Sequence, residues 1–234
     1  MRRTDVISPL GTPFGPARLR RTVVMVALIL GGIPRFALAH PHVLIDARTE
    51  LLFNAQGQLT GITNIWDFDD AFSAFAIQGY DRKGDGKPTR EELQPLAKVN
   101  LSSLADYGYF TQVTLAGVKI PFGAPKDYFD VFQHEKLTLH FTLPLALPLD
   151  VRGKVVEVDV YDPAYFAAIT FAKDDPVELR SGGETCSAAI HRPEPLDPGI
   201  ASQLAVIPAD QRTLPPELFA VTNKLVNGIK VSCK

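Results

Sequence analysis

The chain has 234 residues, 46% of them hydrophobic, with 24 Lys and Arg against 26 Asp and Glu and only two cysteines. This is enough apolar material for a cored globular domain. The balance is slightly acidic, and the −7 expected after signal removal argues against nucleic acid as a partner.

The first 39 residues read as an export signal. Arg2, Arg3, Arg18, Arg20 and Arg21 form a basic leader, and residues 22–33 an apolar run too short to span a bilayer as a stable helix. Ala37-Leu38-Ala39 is a small-x-small cleavage site. Cutting there removes six arginines and one aspartate, leaving 18 basic against 25 acidic residues and no stable membrane anchor. Both methionines, Met1 and Met25, leave as well, so no thioether site for copper(I) remains. The expected location is the periplasm.

The cut makes His40 the first residue of the mature chain, in the stretch His40-Pro41-His42-Val43. A terminal histidine offers its α-amine and its imidazole to one ion, and His42 adds a second imidazole. Pro41 has no N–H to lose, which blocks the square-planar wrap around Cu²⁺ or Ni²⁺ through deprotonated amides. The mixed nitrogen and oxygen ligation that remains suits Zn²⁺, Ni²⁺ or Co²⁺, with Cu²⁺ possible.

Residues 43–53 alternate as a strand with Val43, Ile45, Ala47 and Thr49 on one face. A turn at 54–58 leads into a partner strand over 59–68 carrying Ile62 and Trp66. In such a hairpin the start of the first strand lies across from the end of the second. His40 and His42 are therefore expected near Asp67, Asp69 and Asp70, with Asp69 as a candidate ligand.

From Asp69 the period changes to helical, with Phe72, Phe75 and Ala76 on one side and Asp69 or Asp70 as N-cap. A second helix is predicted over about 89–107, carrying Leu93, Leu96, Ala97, Leu101 and Leu104, with a kink at Pro95. Between them lies a degenerate EF-hand-like loop. Asp81, Asp85, the Lys87 carbonyl, Thr89 and Glu92 fall at calcium-ligand positions and Gly86 fits the sharp turn, but Lys83 stands where a carboxylate belongs. This loop is not expected to hold Ca²⁺. Residues 69–108 thus read as a helix–loop–helix insertion.

Strand signals resume at 110–115, 118–122, 128–133, 137–143, 154–161, 165–171, 176–179 and 187–191. Short helices are predicted over about 200–206 and 216–226, with Pro216 in the first turn of the latter, and a last strand at 229–233. Many short alternating strands between turn residues point to a mainly β protein, an Ig-like β-sandwich over residues 40–234 with the helical insertion and a short C-terminal helix.

His134 and His140 resemble a metalloprotease pair only superficially. They lie six residues apart in a strand-like segment, ~20 Å, too far to share an ion. Both read as surface histidines, as does His191. Asp162, before Pro163, marks a turn and is a further candidate ligand. Cys186 and Cys233, exported to an oxidising compartment, would close a disulfide loop of just under fifty residues. Zinc ligation by the pair is the alternative, without a CxxC spacing to support it.

His40-Pro-His-Val-Leu-Ile-Asp46, Trp66-Asp-Phe-Asp69, the Asp85-Gly86 loop with Glu91-Glu92-Leu93, Tyr107-Gly-Tyr-Phe110, Tyr161-Asp-Pro-Ala-Tyr-Phe166, Ala172-Lys-Asp-Asp-Pro176 and Val231-Ser-Cys233 together resemble domain of unknown function family 1007. The resemblance covers essentially the whole mature chain. It implies the periplasmic component of an ABC-type transport system, encoded beside nickel/cobalt-type permeases, and so metal handling rather than catalysis. Lys83 departs from the family's usual acidic loop.

The expected function is capture of a divalent metal by His40, His42, Asp69 and Asp162 and its exchange with an inner-membrane metal permease, without enzymatic activity. Two other classes share these features. A terminal histidine on a β-sandwich is also the copper site of oxidative enzymes acting on polysaccharides and resembles that of copper-resistance proteins; alternatively, the protein is a metal-free periplasmic adaptor.

Overall fold

Strict alternation in residues 43–68 builds the hairpin on which the rest is assembled. A computed structural model of the chain describes residues 41–208, 211 and 213–234, so the expected signal and His40 lie outside the described residues. β1 (Val43–Phe53) and β2 (Leu59–Phe68) pair antiparallel with Ile45 opposite Phe68 and Ala47 opposite Trp66. The odd residues of β1 face the core, and Val43, Ile45, Ala47, Thr49 and Leu51 are all buried.

The remaining strands are β3 (Thr111–Leu115), β4 (Val118–Ile120), β5 (Lys126–Gln133), β6 (Lys136–Leu149) and β7 (Val155–Val160). They are followed by β8 (Ala167–Phe171), β9 (Val177–Arg180), β10 (Cys186–His191) and β11 (Asn227–Cys233). They form two sheets: β5-β6-β2-β1-β8, with β9 also on β1, and β10-β11-β7-β3-β4. The molecule is mainly β and sandwich-like, as the sequence predicts, and one buried cluster takes side chains from both sheets. β8 and β9 join β1 in parallel, a pairing that leaves no local signal because its partners are far apart in sequence.

β5 and β6 are joined by a two-residue turn at His134-Glu135, both with positive φ (51° and 63°), the geometry that continues strand twist across a tight hairpin. β6 runs well past the predicted end, to Leu149, because its later residues still pair with β2 at Leu59. Asn227 joins the two sheets: its Nδ2 donates to the carbonyls of Val160 and Ile169, and its Oδ1 accepts from Phe171 N.

The first helix begins where its predicted cap places it, and the helix expected over about 200–206 starts two residues earlier, behind Asp197. α1 (Asp70–Ala76) is N-capped by Asp69, whose carboxylate accepts from Phe72 N. Phe72 and Ala76 pack on the core, whereas Phe75 is exposed and Ser73 takes a buried place instead. The Ser73 hydroxyl donates to Phe68 O and accepts from Leu137 N, fastening α1 to β6. α2 (Arg90–Ala105) starts with a capping box between Thr89 and Glu92 and continues as one helix through Pro95. Its buried Leu93, Leu96, Ala97 and Leu101 belong to the same cluster as the sheet residues. Two shorter helices, α3 (Pro198–Leu204) and α4 (Pro216–Thr222), contribute to a small second cluster around Leu204, Ile207 and Leu218. Cys186 and Cys233 are disulfide-bonded across the β10–β11 pair.

Candidate metal centre

His42 lies just before β1, anchored by its backbone N–H, which donates to Phe166 O at 2.8 Å. Its ring lies 4.8 Å from the Phe166 ring. Two carboxylates bond backbone amides of the neighbouring segments. Asp69 follows β2 directly, and its Oδ2 accepts from Leu44 N at 2.8 Å while its Oδ1 accepts from Phe72 N at 2.9 Å. Asp162 starts the β7–β8 connection, and its Oδ1 and Oδ2 accept from Ala164 N (2.8 Å) and Ala167 N (2.9 Å). The Asp-Pro turn expected from sequence is therefore present, closed further by Tyr165 N donating to Asp162 O.

The two acids share one design: each holds two backbone amides with two different oxygens. Charge-assisted bonds of this kind fix a carboxylate's orientation and lower the basicity left for a metal. A metal bound beside His42 would meet acids already oriented by the fold, suited to holding imidazoles and waters around the ion as much as to direct ligation. Among the described residues no three His, Cys, Asp or Glu side chains gather at metal-binding range. The candidate ligands His42, Asp69 and Asp162 therefore do not form a metal-binding group among the described residues, and His40 lies outside them.

Asp67 and Asp70 take other partners. Asp67 sits opposite Asp46 in the hairpin, where it bonds Arg48 at 2.8 Å and accepts from the Thr138 hydroxyl. Asp70 is exposed, 3.8 Å from the Lys136 ammonium.

In the loop before α2, the predicted calcium-ligand residues bond to their own backbone. Asp81 accepts from Gly84 N and Gly86 N, and Asp85 accepts from Lys87 N. Thr89 and Glu92 are engaged in the capping box. The Thr89 N–H also holds the Glu92 carboxyl below its ordinary range.

His140 faces away from Leu139 and Phe141, as its parity predicts, and its ring stacks on Phe129 at 4.5 Å, with the Arg90 guanidinium over the other side of that phenyl. Partial burial pushes the His140 imidazole below its ordinary pKa. His191 is exposed at the end of β10.

The family described as "Protein of unknown function (DUF1007)" matches residues 25–233. The chain belongs to the DUF1007 family. Among its relatives, an uncharacterised protein of Haemophilus influenzae is 31% identical over 170 residues, covering 71% of this chain and 80% of that protein. An uncharacterised 15.5 kDa protein encoded in the trpE 3′ region of Spirochaeta aurantia is 31% identical over 104 residues, covering 44% of this chain and 74% of its own length. The disulfide of this DUF1007 chain is compatible with export to an oxidising compartment. None of its described helices is long and apolar enough to cross a membrane.

Two features of the DUF1007 chain leave only faint sequence signals. Asp130 in β5 is fully buried, with neither carboxylate oxygen bonded, and burial raises its pKa to about 7. The signal is an acid at the inward parity of an apolar strand. Asn100 stands four residues after Leu96 and four before Leu104 on α2, an amide on an otherwise apolar stripe.

Proposed function

We propose that the protein is exported through its cleaved N-terminal signal and carries a divalent transition metal, Zn²⁺, Ni²⁺ or Co²⁺, as cargo for an inner-membrane permease. What supports this reading is that Asp69 holds the Leu44 N–H, two residues after His42, and Asp162 holds the Ala167 N–H, next to the Phe166 carbonyl that accepts from His42 N. Export would deliver His40 two residues away, adding an amine and a second imidazole. Imidazole and carboxylate donors together match these ions. The net charge of −7 that signal removal leaves favours capture of a cation. Capture needs neutral imidazoles, so the ion is released as acid protonates them.

The test is N-terminal sequencing and elemental analysis of the protein purified from the periplasm, with Zn²⁺ and Ni²⁺ titrations of wild type and His42→Ala. The expected result is a chain starting at His40, about one metal per chain, and at least 100-fold weaker binding in the variant. A chain starting elsewhere, or equal affinity in both proteins, overturns the proposal.

A further inference from the structure

Asp130 of β5 stands opposite Leu139 of β6, and both are 0% exposed. Opposite residues of an antiparallel pair project to the same side of their sheet, so the Asp130 carboxyl shares the apolar inner layer of Leu137, Leu139 and Phe141. Neither of its oxygens makes a hydrogen bond. A carboxyl in that position is tolerated while it keeps its proton, whereas its anion needs water or a cation.

The elements packed most closely on β5 are its ladder partner β6 and the helix α2. Among the described residues, their charged groups are turned elsewhere. On α2, Arg90 lies over the Phe129 ring, Glu92 is held in the capping box, and Glu91 and Lys98 are exposed. On β6, His140 stacks on Phe129 and Lys136 is exposed beside Asp70. Lys126 and Asp127 of β5 itself are exposed, and its Tyr128 is half-buried. Burial is accordingly what raises the Asp130 carboxyl to about 7.

Water can reach Asp130 by parting β5 from β6 or by lifting α2. The first breaks a backbone ladder that runs from Phe129 opposite His140 to Gln133 opposite Lys136. The second meets less resistance. One hydrogen bond among the described residues ties α2 to β5, from Gln94 Nε2 to Tyr128 O at 3.3 Å. The chain enters α2 through exposed residues 82–87 and leaves it through exposed residues 105–108, and segments of this kind open most readily. We propose that Asp130 is a proton-held latch under α2, whose ionisation lifts the helix off β5 while both sheets stay folded. The open form stays a minor state because it uncovers Leu93, Leu96, Ala97 and Leu101, but its population follows the proton: acid closes the latch and mild alkali opens it.

Cys186 and Cys233 are paired, so Ala97→Cys on α2 and Ala47→Cys on β1, each replacing a 0% exposed alanine, give proteins with a single free thiol. Maleimide labelling is followed at pH 5 and pH 8, and each rate is divided by that of the urea-unfolded chain at the same pH. The expected result is labelling at position 97 at least about ten-fold faster than at position 47 at both pH values, because position 47 waits for global unfolding. Between pH 5 and pH 8 the protection at position 97 should fall on the order of a hundred-fold, the effect of a carboxyl that titrates near 3.8 when open and about 7 when closed. Asp130→Asn and Asp130→Leu, each added to Ala97→Cys, should remove that fall. Equal labelling at the two positions, protection at position 97 unmoved by pH, or a fall that survives the Asp130 substitutions each overturns the proposal.

Discussion

Leu44 and Asp69 are joined twice: Leu44 N donates to Asp69 Oδ2 at 2.8 Å, and Asp69 N donates to Leu44 O at 3.0 Å. One aspartate thus ends the β1–β2 hairpin and, through its other oxygen, starts α1. Asp69→Ala should cost about 1–2 kcal/mol, the loss of an N-cap plus a strand-end bond. Urea unfolding checks this. An unchanged midpoint would mean that water replaces both bonds without loss.

Asp130 gives the stability a definite pH dependence. Its carboxyl has a pKa of about 7 when folded against an ordinary 3.8, so the native state holds the proton more tightly than the unfolded chain. The stability from this group is full below about pH 4 and drains away as pH rises to about 7, by about 1.4 kcal/mol per pH unit within that window. Asp130→Leu should remove this slope, raising stability at pH 8 by a few kcal/mol. Parallel stability curves for the two proteins between pH 4 and 8 would contradict it.

Asn227 is the polar joint between the sheets. Asn227→Ala would leave Phe171 N–H and two carbonyls without their partner in a buried position. The expected loss is roughly 3 kcal/mol, measurable as a drop in thermal midpoint. Hydrogen exchange should quicken first at Phe171.

The Cys186–Cys233 bridge closes a loop with a sequence separation of 47. Replacing both cysteines with alanine should lower stability by up to about 4 kcal/mol in the chain-entropy account. Adding reductant to the wild type should reproduce the loss in denaturant melts, and should do nothing further to the double variant.

The hairpin was legible to the residue because alternation, a turn cluster and the following helix cap all agree at its two ends. α2 is legible from its apolar stripe, Leu93, Leu96, Ala97 and Leu101, whereas Thr89 and Glu92, read as calcium-loop positions, turn out to form its capping box. Phe75 was misplaced because α1 is only seven residues long and its burial is decided by where β6 lies: Ser73, polar but small, is the residue that reaches Leu137. The parallel partners of β1 were illegible because nothing local marks a pairing between Asp46 and Thr170. At the candidate centre the sequence named Asp69 and Asp162, and a cap and an Asp-Pro turn revealed their backbone roles. Trp66 is legible only as an apolar strand position and Asn100 not at all, since a missing hydrogen bond is a property of the packed interior and has no sequence pattern.

The parallel pairing has a consequence for how the protein is made. β1 is the earliest strand to emerge, yet one of its edges waits for β8 and β9, 124 residues downstream in the pairing of Asp46 with Thr170. Contacts of such long range close slowly, so most of the polypeptide must be synthesised before its first strand is enclosed. Any product that stops short of residue 180 therefore carries a bare strand edge open to aggregation.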